Sequence, residues 1–224
     1  MASRMRRPLP DAVIFDMDGL LIDSERLAKA STLAVSEQLG HPIPASVAMR
    51  MIGLGSDALE HMLRDELGAK FPVRQFRDTW NEHYGARVAQ GVPVKPGVIE
   101  ALTALAAVNV PCAVATSTQT RLAHHKLEKA GLLHHFVFVA GRDAVVHGKP
   151  APDLYLHAAK LLGQRAERCW AFEDSLPGLT AAAASGARTH WVPDLARINT
   201  SDLPAGVETI DSLHHVSRWV ARVS

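Results

Sequence analysis

The chain has 224 residues, enough for one large domain or two modest ones, each with its own hydrophobic core. It is 47% hydrophobic, and its 24 basic residues are offset by 23 acidic ones. This charge balance gives no electrostatic basis for binding nucleic acid or an anionic membrane surface. The two cysteines, Cys112 and Cys169, lie far apart in the sequence, so we expect a reduced, intracellular protein.

The first ten residues are basic, but the apolar run that follows them is only the four residues AVIF at 12–15. This run is too short for a signal peptide or a membrane span. We therefore expect a soluble, cytoplasmic protein that is a monomer or a weak dimer.

The run at 12–15 is the first predicted strand, and it stops at Asp16-Met17-Asp18-Gly19. Short continuous apolar runs are typical of strands buried on both faces of a parallel sheet. Residues 21–92 differ, because they carry apolar positions at helical spacing and no strand pattern. We expect a helical domain over residues 21–92, inserted after the first strand. Within it, we expect residues 49–56, with Gly53 and Gly55, to be a flexible element that meets the core.

The second half of the chain alternates strand and helix patterns. The further predicted strands are 110–115, 136–140, 169–172 and 189–192. Helical patterns at 121–130, 153–162 and 179–185 are each followed by glycine, a common stop just past a helix. This alternation predicts an α/β core with a parallel sheet, formed by residues 1–20 and 93–224.

Polar residues follow the four strongest strands, where ligands bind in open parallel sheets. They are Asp16, Asp18, Thr116, Ser117, Lys149, Glu173 and Asp174. Four carboxylates at one edge of a sheet would repel one another without a cation, and Mg²⁺ prefers oxygen ligands of this kind. Lysine and hydroxyl groups beside the metal suit phosphate oxygens, so the pattern predicts a site for phosphoryl transfer.

The segments FDMDG, ATST, HGKPAPD and FEDS, in this order and spacing, resemble the four motifs of the haloacid dehalogenase superfamily. The match covers nearly the whole chain. The position of the insertion resembles the subgroup of β-phosphoglucomutase and the sugar-phosphate phosphatases. The resemblance implies a Rossmann-like parallel sheet with the first strand central, and a small α-helical cap domain over the site.

The resemblance also implies roles for the motif residues. Asp16 would attack phosphorus and form an aspartyl-phosphate, and Asp18 would act as acid and then as base. Thr116, with Ser117 beside it, and Lys149 would bind the phosphoryl group. With these roles, the resemblance implies a Mg²⁺-dependent phosphatase that acts on a small phosphorylated metabolite, a sugar phosphate in the first instance.

The Mg²⁺ ion would be held by Asp16, by the backbone carbonyl of Asp18 and by Asp174. Glu173 would contact it directly or through water.

In the cap, Glu25 and Arg26 would contact the substrate, or else form a solvated helix face.

The main alternative is a phosphosugar mutase of the β-phosphoglucomutase type. Such mutases place a histidine where this chain has Ala28, and this difference favours the phosphatase. A binding protein on the same fold is a further alternative, which the intact motifs disfavour.

Asp153 and Ser175 are expected to begin helices, and Gly178 is expected to permit close packing.

Overall fold

The computed structural model describes residues 9–51, 56–195 and 198–222. The predicted flexible positions Gly53 and Gly55 lie outside these residues. The described chain forms two compact units. One contains the residues up to Ile22 and those from Pro93 onward, and the other runs from Asp23 to Val92.

The elements follow one another in the order strand, four helices, then alternating helices and strands. They are β1 (Ala12–Phe15), α1 (Ser24–Gln38), α2 (Ala45–Arg50), α3 (Ser56–Leu67), α4 (Val73–Gln90), α5 (Val98–Ala107), β2 (Cys112–Ala115), α6 (Thr120–Lys129), β3 (Phe138–Ala140), α7 (Asp153–Leu161), β4 (Cys169–Glu173), α8 (Leu176–Ala184), β5 (Arg188–Trp191), β6 (Glu208–Thr209) and α9 (His214–Val220). No helix in these ranges has both the length and the apolar composition needed to cross a membrane.

The strands form one parallel sheet in the order β3-β2-β1-β4-β5-β6. The predicted α/β fold with a parallel sheet is confirmed, and β1 is central. Every residue of β1 and β2 is buried, as expected for strands covered by helices on both faces. Phe15 of β1 stacks on Phe172 of the neighbouring strand, with 5.3 Å between ring centroids.

Two predicted strands begin later than their apolar runs. The run at 110–115 becomes a strand only at Cys112, because Pro111 has no N–H and Asn109 adopts a positive φ of 56°. The run at 136–140 becomes a strand only at Phe138, after a short 3₁₀ turn over Leu133–His135. Strand β6 was missed because two residues are too few to show a period.

The second unit contains α1 to α4 and has its own hydrophobic core. Val35, Leu63 and Phe76 are among the buried residues of this core. Within the unit, the indole N–H of Trp80 on α4 donates to the hydroxyl of Thr32 on α1 at 3.1 Å. An inserted segment with its own core and side-chain hydrogen bonds can hold its shape as a separate domain.

Candidate active site

The loop after β1 carries the two aspartates of the first motif. The backbone N–H of Asp16 donates to the carbonyl of Phe172 at 3.0 Å, so Asp16 is still held by the central pairing of the sheet. Gly19 turns the chain with a φ of 88°, and a side chain there would overlap the carboxylate of Asp174. Glycine at this position therefore lets the loop after β1 lie against the end of β4.

Lys149 lies buried between two carboxylates. Its Nζ donates to Oδ1 of Asp16 and, at 2.6 Å, to Oε1 of Glu173. Burial by itself would lower the pKa of this lysine. The two adjacent carboxylates outweigh burial and hold the pKa of Lys149 above its ordinary value. Lys149 therefore stays charged and connects the ends of β1 and β4.

The loop that presents Lys149 is held by an arginine that the sequence analysis did not single out. The guanidinium of Arg142 donates to the carbonyls of Val145 and Val146 at 3.0 and 3.2 Å. A side chain at Gly148 would overlap this arginine, so glycine there lets the loop fold closely around the guanidinium.

Glu173 is fully buried and accepts hydrogen bonds on both oxygens. Oε1 accepts from Lys149 and from the hydroxyl of Tyr155, the latter at 3.0 Å. Oε2 accepts from the backbone N–H groups of Asp174 and Ser175 at 3.0 and 3.1 Å, and from the Ser175 hydroxyl at 3.0 Å. Glu173 thus organises the turn between β4 and α8.

The first turn of α8 confirms two predictions. Ser175 caps the helix, because its hydroxyl accepts from the backbone N–H of Gly178 at 3.2 Å. Gly178 permits close packing, and the group packed against it is Glu173, whose carboxylate would overlap any side chain at 178. The prediction that Asp153 begins a helix is also confirmed, at α7.

Three buried carboxylates lie close enough to share one cation. Asp16, Glu173 and Asp174 each bring an oxygen within 4.8 Å of the others. Burial and, after it, the charge of Glu173 raise the pKa of Asp16 to about 8, although Lys149 acts in the opposite direction. The cluster therefore lacks positive charge. A divalent cation with a preference for oxygen ligands fits both its charge and its donor atoms.

The side chain of Asp18 is not in this cluster. Its Oδ1 accepts from Nζ of Lys126 at 2.8 Å, and its Oδ2 accepts from the hydroxyl of Thr118 at 2.6 Å. Lys126 is buried on α6, and Thr118 lies in the loop after β2. The two aspartates of the motif, although two residues apart, thus have different partners.

The hydroxyl residues after β2 lie at the same edge of the sheet, since β2 pairs with β1 in parallel. Thr116 is buried, and its hydroxyl accepts from the backbone N–H of Thr118 at 3.1 Å. The side chain of Ser117 is exposed. Thr116 and Ser117 thus follow β2, and Asp16 follows the neighbouring strand β1, which ends at Phe15.

Four of the predicted site residues lie together. Lys149 is hydrogen-bonded to Asp16 and Glu173, and Asp174 lies within 4.8 Å of both carboxylates. Glu25 and Arg26 belong to the second unit, in the first turn of α1, where Arg26 forms an ion pair with Asp23 at 2.6 Å. Their contact with a substrate stays a prediction.

The interaction of Lys126 with Asp18 was not predicted, although the sequence indicates that this lysine is buried. Ala123 and Leu127, three residues before and one after, are both buried on α6. A lysine on this stripe faces the core, where a charge needs a partner. Tyr155 gave no such signal, because a tyrosine on the apolar face of a helix is ordinary core.

Comparisons with known proteins agree with the motifs. A family model described as haloacid dehalogenase-like hydrolase matches residues 10–186. A Drosophila melanogaster protein named "Probable pseudouridine-5'-phosphatase" is 33% identical over 209 residues, which are 87% of this chain and 86% of that protein. A Thermotoga maritima protein named "Phosphorylated carbohydrates phosphatase" is 32% identical over 176 residues, covering 79% and 82%.

A solved structure shows the same similarity. The crystal structure of CbbY from Rhodobacter sphaeroides in complex with phosphate has a TM-score of 0.76 and 25% sequence identity. The match covers 93% of this chain and 96% of that one.

Proposed function

The chain belongs to the haloacid dehalogenase-like hydrolase family, and from this membership we propose that it is a magnesium-dependent phosphatase. Its substrate is a small phosphorylated metabolite of the sugar-phosphate class. The names of two relatives support this, one a phosphatase of phosphorylated carbohydrates and the other of pseudouridine 5'-phosphate. Both substrate classes contain a phosphate ester on a sugar.

The observation that carries the proposal is the position of Lys149 between Asp16 and Glu173, with Asp174 in the same cluster. A carboxylate is a competent nucleophile toward phosphorus, and Asp16 has a cationic partner that also suits phosphate oxygens. A buried carboxylate beside a lysine and further acidic groups suits phosphoryl transfer, which depends on positioning and on the neutralisation of phosphate charge.

In the proposed reaction, a carboxylate oxygen of Asp16 attacks phosphorus, and the bond from phosphorus to the leaving oxygen breaks. Asp18, which enters this step in its protonated form, gives the proton to that oxygen and becomes a carboxylate, so the leaving group departs as an alcohol. A water molecule then attacks the aspartyl-phosphate, and Asp18 takes a proton from it. Inorganic phosphate leaves, and both aspartates return to their starting states.

We assign Mg²⁺ binding to the carboxylates of Asp16 and Asp174 and to the backbone carbonyl of Asp18. Glu173 accepts five hydrogen bonds from protein donors, and a contact through water would leave them intact. When bound, the ion stabilises the negative charge of the transferring phosphoryl group. The pKa of Asp16, raised by burial and by the charge of Glu173, supports this assignment.

Thr116, Ser117 and Lys149 are proposed to bind the phosphoryl oxygens. Thr116 and Lys149 are both buried, so their positions are set by packing before any ligand arrives. Donors fixed in advance stabilise developing charge without reorganisation at the moment of reaction.

The test is hydrolysis of p-nitrophenyl phosphate with Mg²⁺ and with excess EDTA. We expect activity with Mg²⁺, none with the chelator, and recovery when Mg²⁺ is restored. Asp16→Asn should lower turnover by at least about a thousandfold, because an amide does not attack phosphorus. Asp65→Asn is the matched control, since this aspartate is exposed on α3.

Full activity in EDTA, or near wild-type turnover of Asp16→Asn, would refute the assignment. The substrate class is tested with a panel of sugar phosphates, nucleotides and phosphoglycolate. Conversion of glucose 1-phosphate to glucose 6-phosphate without release of phosphate would instead identify a mutase.

A further inference from the structure

A buried lysine on α6 contacts the carboxylate that we assign to proton transfer. Lys126 is 5% exposed, and its Nζ donates to Oδ1 of Asp18 at 2.8 Å. The hydroxyl of Thr118 donates to the other oxygen of Asp18 at 2.6 Å. Both carboxylate oxygens therefore accept a hydrogen bond from the polypeptide, one of them from a charged group.

Hydrogen bonds to the loop after β3 hold Thr118 and the start of α6, the helix that carries Lys126. At the start of α6, the backbone N–H and hydroxyl of Thr120 donate to Asp143 at 2.7 and 2.8 Å. The backbone N–H of Arg142 donates to the carbonyl of Thr118 at 3.0 Å. These bonds connect the loops after β2 and β3, so Thr118 and the first turn of α6 are anchored together.

The position of Lys126 is unfavourable for a residue with packing as its sole role. Its neighbours Ala123 and Leu127 are fully buried, and an apolar side chain would fill the same stripe without desolvating a charge. The ion pair with Asp18 compensates for this desolvation. Burying a charged lysine here benefits the enzyme if the ion pair orients Asp18 for the reaction.

Asp18 also lies next to the cluster of three carboxylates that could share a divalent cation. Asp16, Glu173 and Asp174 form that cluster, and the side chain of Asp18 is directed instead to Lys126 and Thr118. A carboxylate free to turn toward a bound divalent ion would become a further ligand. Proton transfer, in contrast, depends on a carboxyl group held at a fixed place.

We infer that Lys126 is a positioning residue for Asp18. Together with Thr118 it holds the carboxylate apart from the metal cluster, in the orientation used to exchange a proton with the leaving group. The inference rests on the proposed phosphatase function. Lys126 acts through Asp18, to which its Nζ donates.

The experiment compares two small substrates that differ in how much their leaving group needs a proton. Phenyl phosphate releases a basic phenolate, whereas 2,4-dinitrophenyl phosphate releases a weakly basic one. With enzyme in excess over substrate, the first release of the phenol reports the step in which Asp18 is the acid. Hydrolysis of the aspartyl-phosphate does not contribute to this signal.

We expect Lys126→Met to slow release from phenyl phosphate by roughly tenfold to a hundredfold, and release from 2,4-dinitrophenyl phosphate by less than about threefold. Lys129→Met is the matched control, because Lys129 is an exposed lysine on the same helix, and it should change neither rate. In an Asp18→Asn background, adding Lys126→Met should change release from phenyl phosphate by less than about twofold.

Thr118→Val removes the second donor and provides an independent variant if Lys126→Met does not fold. It should reproduce the selective loss on phenyl phosphate, at roughly threefold to tenfold. Equal losses on both substrates, an undiminished rate on phenyl phosphate, or an additive loss in the Asp18→Asn background would each overturn the inference. A wild-type protein that releases neither phenol would overturn the proposed function as well, so the two failures are distinguishable.

Discussion

The charged side chain of Lys149 is 3% exposed, and Asp16 and Glu173 share its charge. Removing the lysine would leave two uncompensated carboxylates in the core, and breaking a buried pair costs about 3–5 kcal/mol. An enzyme can use such an arrangement, because the lysine that neutralises Asp16 at rest is in place when a phosphoryl group brings further negative charge.

Asp18→Asn tests the assignment of acid and nucleophile to separate residues. An amide cannot donate the proton, so the first release of phenol from phenyl phosphate should fall by roughly 10²–10⁴-fold. Release from 2,4-dinitrophenyl phosphate should stay within about tenfold of wild type, because this leaving group needs no protonation. Rapid-quench measurement with enzyme in excess gives both rates.

Asp16→Asn is the comparison variant for this experiment, and it should abolish release from both substrates. If Asp18→Asn lost both activities to the same extent, Asp18 would act on the phosphoryl group or on the folded state.

At the scale of secondary structure, the end of β4 and the start of α8 are held together by hydrogen bonds and close packing. Ser175 caps the helix and also donates to Glu173, while the helix approaches so closely that only glycine fits at 178. The carboxylate of Glu173 thus takes the space of a missing side chain. This close approach fixes Glu173, and through it the position of Lys149.

Gly178→Ala tests that coupling. The added methyl group would displace the carboxylate of Glu173, and overpacking of this kind costs about 1–3 kcal/mol. For a chain of this length we expect a fall in the melting temperature of roughly 2–12 °C. Hydrolysis of p-nitrophenyl phosphate should fall by at least about tenfold, because a misplaced reactive group weakens catalysis strongly.

Calorimetry and steady-state kinetics on the purified variant give both values. Thr180→Ala, at an exposed position of the same helix, is the control and should change stability by less than about 0.5 kcal/mol. A Gly178→Ala protein with wild-type stability and activity would show that the contact with Glu173 is unimportant.

At the scale of the whole molecule, the chain divides into two units, each with a core. The structure places the division at Asp23 and Val92, whereas the sequence pattern predicts an insertion over residues 21–92. Residues 20–22 stay with the first unit because Leu21 and Ile22 donate to the carbonyl of Met17 at 2.9 and 3.1 Å. Recognition of the substrate by the second unit stays a prediction.

Variants in α1 test whether the second unit selects the substrate. If Glu25 or Arg26 contacts the sugar, Glu25→Ala or Arg26→Ala should lower kcat/KM for the preferred sugar phosphate by roughly tenfold to a hundredfold, about 1.4–3 kcal/mol. Activity on p-nitrophenyl phosphate should be largely retained, because binding energy from remote parts of a substrate is missing in a truncated one. Equal losses on both substrates would indicate a role in the fold or the core site, and no loss would indicate a solvated helix face.

The sequence by itself determined the fold class, the central first strand through its motif resemblance, and the ends of β1, β2 and β3. These features are local, since a strand shows its burial in its own apolar run and a helix shows its end in a following glycine. Ser175 as a cap and Gly178 as a close contact were predictable for the same reason.

Only the tertiary structure decided which side-chain donor forms a hydrogen bond with which carboxylate oxygen. Lys149 meets Asp16 across 133 residues of chain, and Lys126 meets Asp18 across 108. No local pattern specifies such pairs, because they depend on how helices pack against the sheet and on how closely glycines let loops approach. The different surroundings of Asp16 and Asp18, one in a carboxylate cluster and the other between a lysine and a threonine, arise from that packing.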